Sequence, residues 1–284
     1  MSDSAALVNA LHAQLVVLEA PKAERDFSAY LGRPLDWIVD TLDVELWSKQ
    51  REIIEAIETE QQVAVPGAVG TGKDFAACCY GLYWAYVRGG QCVFSGATLS
   101  QVTNVAMRTV TDLWTHAKLP GEALKMSLVT PAGDIKARTS TMAGKLSGIH
   151  SARGVFVACS EAQDVGDAAF EGLSSCTANA RDRFAAIGNP TRATGWFAHV
   201  CADVPGWRVV RIDGLEHPNV VEGREVVKGA IDQSYVDKMR FNFGGEQSSE
   251  YRARVRGLFP ESSVVENALF TRQLIESCTQ AATC

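Results

Sequence analysis

Residues 61–87 read QQVAVPGAVGTGKDFAACCYGLYWAYV, and this stretch decides the fold. A short apolar run, Val63 to Val65, leads into a glycine-rich turn. There Gly67, Gly72 and Lys73 fit the Walker A pattern G-x-x-x-x-G-K. Residues 75–87 then continue as an apolar segment of helical length. Strand, glycine-rich loop and helix, in that order, are the context that a phosphate-cradling loop requires. Glycines at 67, 70 and 72 let the backbone turn tightly and aim its N–H groups at phosphate oxygens. The helix start adds partial positive charge and Lys73 a full one. The predicted cradle is Gly67, Ala68, Val69, Gly70, Thr71, Gly72, Lys73, Asp74 and Phe75. Its last-but-one position departs from the pattern, because Asp74 stands where Ser or Thr normally offers a hydroxyl to Mg2+.

The rest of the composition sets bounds. The 284 residues are 46% hydrophobic and 21% charged, with a mean hydropathy of −0.02. That suits a soluble globular protein with one sizeable α/β domain plus additions, or two small domains. No apolar run approaches the roughly 20 residues needed to span a bilayer. The N-terminal MSDSAALVNALHAQ has no basic region followed by an apolar core, so no signal peptide is expected. Eight cysteines are scattered without any C-x-x-C pair, which predicts reduced intracellular thiols rather than disulfides or a zinc site. A net charge of −6 argues against nucleic acid wrapped over the whole surface, while leaving room for a local basic strip such as a ring lumen.

Outward from the loop, residues 1–45 read as a helical lead-in, and 46–57 as an amphipathic helix carrying Trp47 and Gln50. The Gln50 amide can both donate to and accept from an adenine edge. On the other side, residues 91–97 read as a buried strand and 99–118 as its helix, an alternation that points to a parallel sheet. Residues 125–141 read as a β-hairpin insertion. Residues 143–153 form a polar loop bearing Lys145, His150 and Arg153. The strand 154–159 runs into Ser160 and Glu161, where phosphate-loop ATPases usually end Asp-Glu. The Asp assists Mg2+ and the Glu polarises the attacking water. A further strand, 184–187, ends at Asn189, which can hydrogen-bond a γ-phosphate. Residues 207–212 make one more strand, followed by polar helices at about 224–241 and 246–256. Outside these motifs no Asp and Glu cluster is placed to hold the two metals of a nuclease.

Taken together, WSKQ (47–50), GAVGTGKD, VFVACSEA, AIGNPTRATGWF, HPNV (217–220) and RARVRGLFP (252–260) resemble the ATPase part of a bacteriophage terminase large subunit. The resemblance covers residues 46–260. It implies an α/β fold of the P-loop, RecA/ASCE-like kind, a mostly parallel sheet flanked by helices. The implied layout is a helical lead-in (1–60), an ATPase core (61–213) and a small helical subdomain (214–284), without the family's nuclease domain. The implied activity is ATP hydrolysis with Mg2+, driving double-stranded DNA into a procapsid inside the cytoplasm of an infected bacterium. Implied partners are the terminase small subunit, the portal protein and further copies of the chain in a ring. By the same resemblance Gln50 contacts adenine, Lys73 the β- and γ-phosphates, Glu161 is the catalytic carboxylate and Asn189 couples hydrolysis to movement. In such motors an arginine completes the site, sometimes from a neighbouring subunit of the ring, and Arg153 is the candidate for it. Asp74 and Ser160 are the candidate magnesium ligands, a carboxylate and a hydroxyl in exchanged places. Two other readings fit the same motifs: a helicase-like remodelling ATPase, and an assembly subunit that binds nucleotide without hydrolysing it.

Overall fold

The computed structural model describes residues 25–139 and 150–260. The first part of the lead-in, Lys145 with its neighbours, and the tail from 261 lie outside them.

Eight strands form one sheet in the order β3-β4-β5-β2-β6-β7-β1-β8. They are β1 (Gln62–Pro66), β2 (Gln91–Gly96), β3 (Glu122–Leu124), β4 (Ser127–Val129), β5 (Asp134–Thr139), β6 (Val155–Cys159), β7 (Arg183–Gly188) and β8 (Arg208–Val209). From β5 to β8 every neighbouring pair is parallel. Parallel strands are covered on both faces and so read as continuous apolar runs. VFVAC in β6 is such a run, buried at all five positions.

Alternate side chains of the central strands β1, β2, β6 and β7 enter different cores. Phe94, Phe156, Ala158 and Ile187 join one cluster with the helices α1 (Pro34–Leu42), α2 (Ser48–Thr59), α3 (Lys73–Tyr83) and α4 (Arg108–His116). Val93, Val157, Cys159 and Ala186 face the other way, onto α5 (Asp167–Ser174) and α6 (Trp196–Val200). A third, smaller cluster of Ile231, Val236, Met239, Tyr251 and Val255 involves α8 (Gln233–Asn242) and α9 (Ser249–Arg254), which follow the single turn of α7 (Pro218–Val221).

Three sequence expectations are corrected. The hairpin expected over 125–141 is not an insertion: β5 pairs parallel with β2 and antiparallel with β4, so it continues the main sheet, with β3 outside it at the edge. The helix expected over 224–241 starts only at Gln233, because Gly229 is left-handed (φ 70°) and the Asp232 side chain caps the helix by accepting from the Tyr235 N–H. The last strand is regular only over two residues. Its extension still bonds to β1, with the Val210 N–H on the Ala64 carbonyl (2.8 Å) and the Ile212 N–H on that of Pro66 (3.0 Å).

Candidate active site

All six parallel strands end on one edge of the sheet, where open α/β folds bind ligands. β1 delivers the glycine-rich loop there, β6 delivers Ser160 and Glu161, and β7, lying between them, delivers Asn189.

The loop is held from outside by backbone. Gly67 donates to the Gly188 carbonyl (3.0 Å), Ala68 to that of Ile212 (3.0 Å) and Val69 to that of Arg254 (2.9 Å), while the Gly70 carbonyl accepts from Ile231 (2.9 Å). The N–H groups of Gly70, Thr71 and Gly72 make none of these bonds. They remain as donors at the start of α3, where a helix has unpaired N–H groups and partial positive charge. Gly70 and Gly72 are left-handed, with φ of 73° and 75°, and a Cβ at position 72 would collide with the Gln50 amide. Only glycine meets both demands at 72.

Trp47 and Gln50 support this loop. The Gln50 Nε2 donates to the Gly72 carbonyl (3.0 Å) and the Trp47 Nε1 to that of Thr71 (3.1 Å). The Gln50 Oε1 also accepts from the Trp47 N–H (3.3 Å). Both ends of this buried amide therefore sit on protein backbone, and contact with a base requires one of them to exchange. The Trp47 ring meets His217 edge-on, with centroids 4.9 Å apart. Burial pushes the His217 pKa below its usual value, and its Nδ1 accepts the Asn219 N–H (3.2 Å).

Lys73 is only 6% exposed. Its Nζ donates to the Ala68 carbonyl (3.2 Å) and to Asn189 Oδ1 (2.9 Å), both neutral, and among the described residues it pairs with no carboxylate. A buried ammonium without a counter-ion costs several kcal/mol. Such a site is built for an anion to arrive.

On the β6 side, Glu161 is one of four non-glycine residues with positive φ (50°) among the described residues. Its Oε2 accepts from Gln163 Nε2 at 2.6 Å. The Oε1 of the same glutamine accepts from the Asn189 N–H at 3.0 Å. Ser160 is fixed by its own N–H on the Ser95 carbonyl (2.8 Å). Asp74 lies in the first turn of α3. Burial first, and then the Asp74 charge, pushes the Cys159 thiol up to about 12. Phe75 packs half-buried against the main core.

The structure thus brings Lys73, Asp74, Ser160, Glu161 and Asn189 to one edge, with Gln50 behind the loop. Arg153 does not join them. It precedes β6, at the opposite end of the strand, exposed and lying against Gly89. A place for Arg153 in the site of its own chain is therefore ruled out. Gln163 escaped the sequence reading, because a lone glutamine after a strand carries no spacing signal.

The C-terminal motifs are accounted for by packing. The Trp196 indole donates to the Val165 carbonyl (2.6 Å) and stacks on Phe170 at 4.2 Å. Arg256 pairs with the buried Asp213 (2.7 Å), and Gly257 passes directly over Gly67 and Ala68.

With this geometry in hand, the fold can be placed. It is the RecA/ASCE-like fold of phage large-terminase ATPase domains. The large terminase of a thermophilic bacteriophage aligns with a TM-score of 0.60 at 11% identity, over 81% of this chain and 57% of that one. The large-terminase ATPase domain of a Thermus phage aligns with a TM-score of 0.58 at 14% identity, over 80% of this chain and 99% of that domain. The first of these terminases also has a structure in complex with ADP, which aligns with a TM-score of 0.58 at 10% identity, over 76% of this chain and 54% of that one. The chain thus spans a little over half the length of that terminase. No family model matches the sequence, and no curated protein matches it either.

The site's donors suit a nucleoside triphosphate with Mg2+. Free N–H groups and a buried lysine suit the phosphates, and Mg2+ takes oxygen ligands from one or two carboxylates plus phosphate and water. Asp74, next to Lys73 in the chain, and Ser160, just past the carboxyl end of β6, are the carboxylate and the hydroxyl that would hold the metal. Among the described residues, no three His, Cys, Asp or Glu side chains gather into a metal cluster, and no helix is long and apolar enough to cross a membrane.

Proposed function

We propose that the chain is an ATP-hydrolysing motor domain of the large-terminase kind, which translocates double-stranded DNA. One observation carries the reading: the buried Lys73, bonded to two neutral oxygens at the mouth of a glycine-rich loop. The likeness to terminase ATPase domains, one of them seen with ADP, supports it.

The loop amides and Lys73 hold the β- and γ-phosphates. Asp74 and Ser160 would hold Mg2+, which would neutralise charge developing on the phosphate oxygens. Glu161 orients a water and accepts its proton as the water oxygen bonds to the γ-phosphorus. The bond from that phosphorus to the β,γ-bridging oxygen breaks, and ADP departs. Asn189, on Lys73, carries the change in phosphate occupancy into β7. Gln50 would reach the adenine by exchanging one of its backbone partners. The DNA, the small subunit, the portal and the ring of copies belong to this same reading.

The test is ATP turnover with and without double-stranded DNA, by wild type, Lys73→Ala and Glu161→Gln. Lys73 meets phosphate charge in the ground state, so its loss weakens nucleotide binding. Glu161→Gln keeps binding and loses roughly 100-fold or more in kcat, the scale of a general base. Wild-type turnover by Glu161→Gln overturns the mechanism. Binding without any turnover by the wild type would make the chain an assembly subunit.

A further inference from the structure

We infer that Gln163 is a positioning residue, which holds the Glu161 carboxylate and ties it to the phosphate loop through Asn189. The inference rests on the reading of Glu161 as the catalytic carboxylate.

Gln163 follows Glu161 by two residues, in a short 3-10 turn. Its amide is used at both ends. The Nε2 donates to Glu161 Oε2 (2.6 Å) and, more weakly, to Asp164 Oδ2 (3.3 Å). The Oε1 accepts the Asn189 N–H (3.0 Å). Asn189 in turn accepts from Lys73 through its own side chain (2.9 Å). One connected line of hydrogen bonds therefore runs from the lysine of the loop, across the end of β7, to the carboxylate at the end of β6.

Three features show that the bridge is built in. An amide carries its donor and its acceptor on separate atoms, so Gln163 can donate to a carboxylate and accept from a backbone N–H at once. Position 188 is glycine, and a Cβ there would collide with the Gln163 Oε1, so β7 leaves room for this amide. Glu161 itself is in the left-handed region, which a non-glycine residue occupies at a cost. Its carboxylate is thus presented from a backbone that the Gln163 bond helps to fix. A shift of Lys73 towards a γ-phosphate pulls on Asn189, and the Gln163 amide passes that displacement to Glu161.

Gln163→Glu and Gln163→Leu test this. The first keeps the shape and an acceptor for Asn189, but loses the donor and sets carboxylate against carboxylate. The second removes both bonds. Measure kcat, the Kd of Mg·ATP with a fluorescent analogue, and the melting temperature of the nucleotide-free chain. Both variants should keep Kd within about threefold, whereas kcat should fall about tenfold in Gln163→Leu and about 100-fold in Gln163→Glu, up to the scale of losing the base itself. Gln163→Leu and Asn189→Ala together should lose less than the product of their separate losses in kcat, because they cut one line. Normal kcat in both Gln163 variants while Glu161→Gln is inactive overturns this inference alone. So does a parallel loss of Kd, kcat and melting temperature, which is what a merely structural residue would give. Normal turnover by Glu161→Gln instead overturns the reading on which it rests.

Discussion

Asp74 carries a negative charge into the first turn of a helix whose preceding loop is arranged to receive phosphate. Without Mg2+ that carboxylate would repel nucleotide; with it, a carboxylate is the ligand Mg2+ favours. Asp74 lies in the first turn of α3, at the edge of the sheet where β6 runs out into Ser160. On the function proposed above, the usual hydroxyl and carboxylate would have traded places, with Asp74 on the loop side and Ser160 on the strand side. We expect Asp74→Ser to lose most turnover and Asp74→Ser with Ser160→Asp to regain a substantial part of it. ATP binding by the wild type should depend steeply on Mg2+. Titration of Mg·ATP affinity and turnover in both single variants and the double decides this. If Asp74→Ser alone improves both, Asp74 obstructs the metal and the exchange is wrong. At this scale the sequence was legible where a residue stood in the glycine-rich motif, as Lys73 does, or just past a strand end, as Glu161 and Asn189 do. It was not legible for Gln163, whose role depends on β7 lying beside β6. For Arg153 the sequence left open whether its own site or a neighbour's is served, because proximity in sequence to β6 says nothing of which end of the strand is reached.

The segments around the loop show what a linear reading misses between elements. Strands and helices were recognisable from unbroken apolar runs, since β1, β2, β6 and β7 are buried on both faces. What the runs could not reveal is that the segment after α9 returns to the phosphate loop, because its contacts are backbone to backbone. Arg254 accepts from the Val69 N–H, Val255 from that of Gly214 (2.7 Å), and Gly257 lies over Gly67. Gly257 has a φ of 59°, and a Cβ would collide with the Ile212 carbonyl and come 3.2 Å from both Gly67 Cα and Ala68 N. Gly257→Ala should therefore cost about 1–3 kcal/mol in chemical denaturation, the usual range for left-handed strain joined to overpacking. It should also weaken nucleotide binding, although residue 257 need touch no nucleotide. Unchanged affinity in a destabilised variant would mean that the segment braces the fold and not the loop.

Across the whole molecule, one charge is conspicuously distant from the chemistry attributed to it. Arg153 stands at the amino end of β6, and Glu161 follows the carboxyl end. Five residues of strand separate them, roughly 17 Å at about 3.3 Å per residue. No side chain spans that distance around a packed sheet, so Arg153 can complete a site only in a neighbouring copy. A head-to-tail ring has the geometry for this, because its heterologous interface sets one edge of a subunit against a different edge of the next. The expected consequence is a rate per subunit that rises with protein concentration, since an arginine supplied in trans is worth about 10³- to 10⁵-fold in related enzymes. Complementation makes the test sharper. Arg153→Ala chains keep their Glu161 and lack the arginine to give; Glu161→Gln chains are the reverse. Each alone should be nearly inactive. Mixed in equal amounts, about a quarter of the sites would pair an intact Glu161 with an intact neighbouring Arg153, if subunits assort at random in a closed ring. Turnover should recover to about that fraction of wild type. A mixture as inactive as its parts, with a wild-type rate that stays flat from dilute to concentrated solution, would exclude Arg153 as the trans arginine.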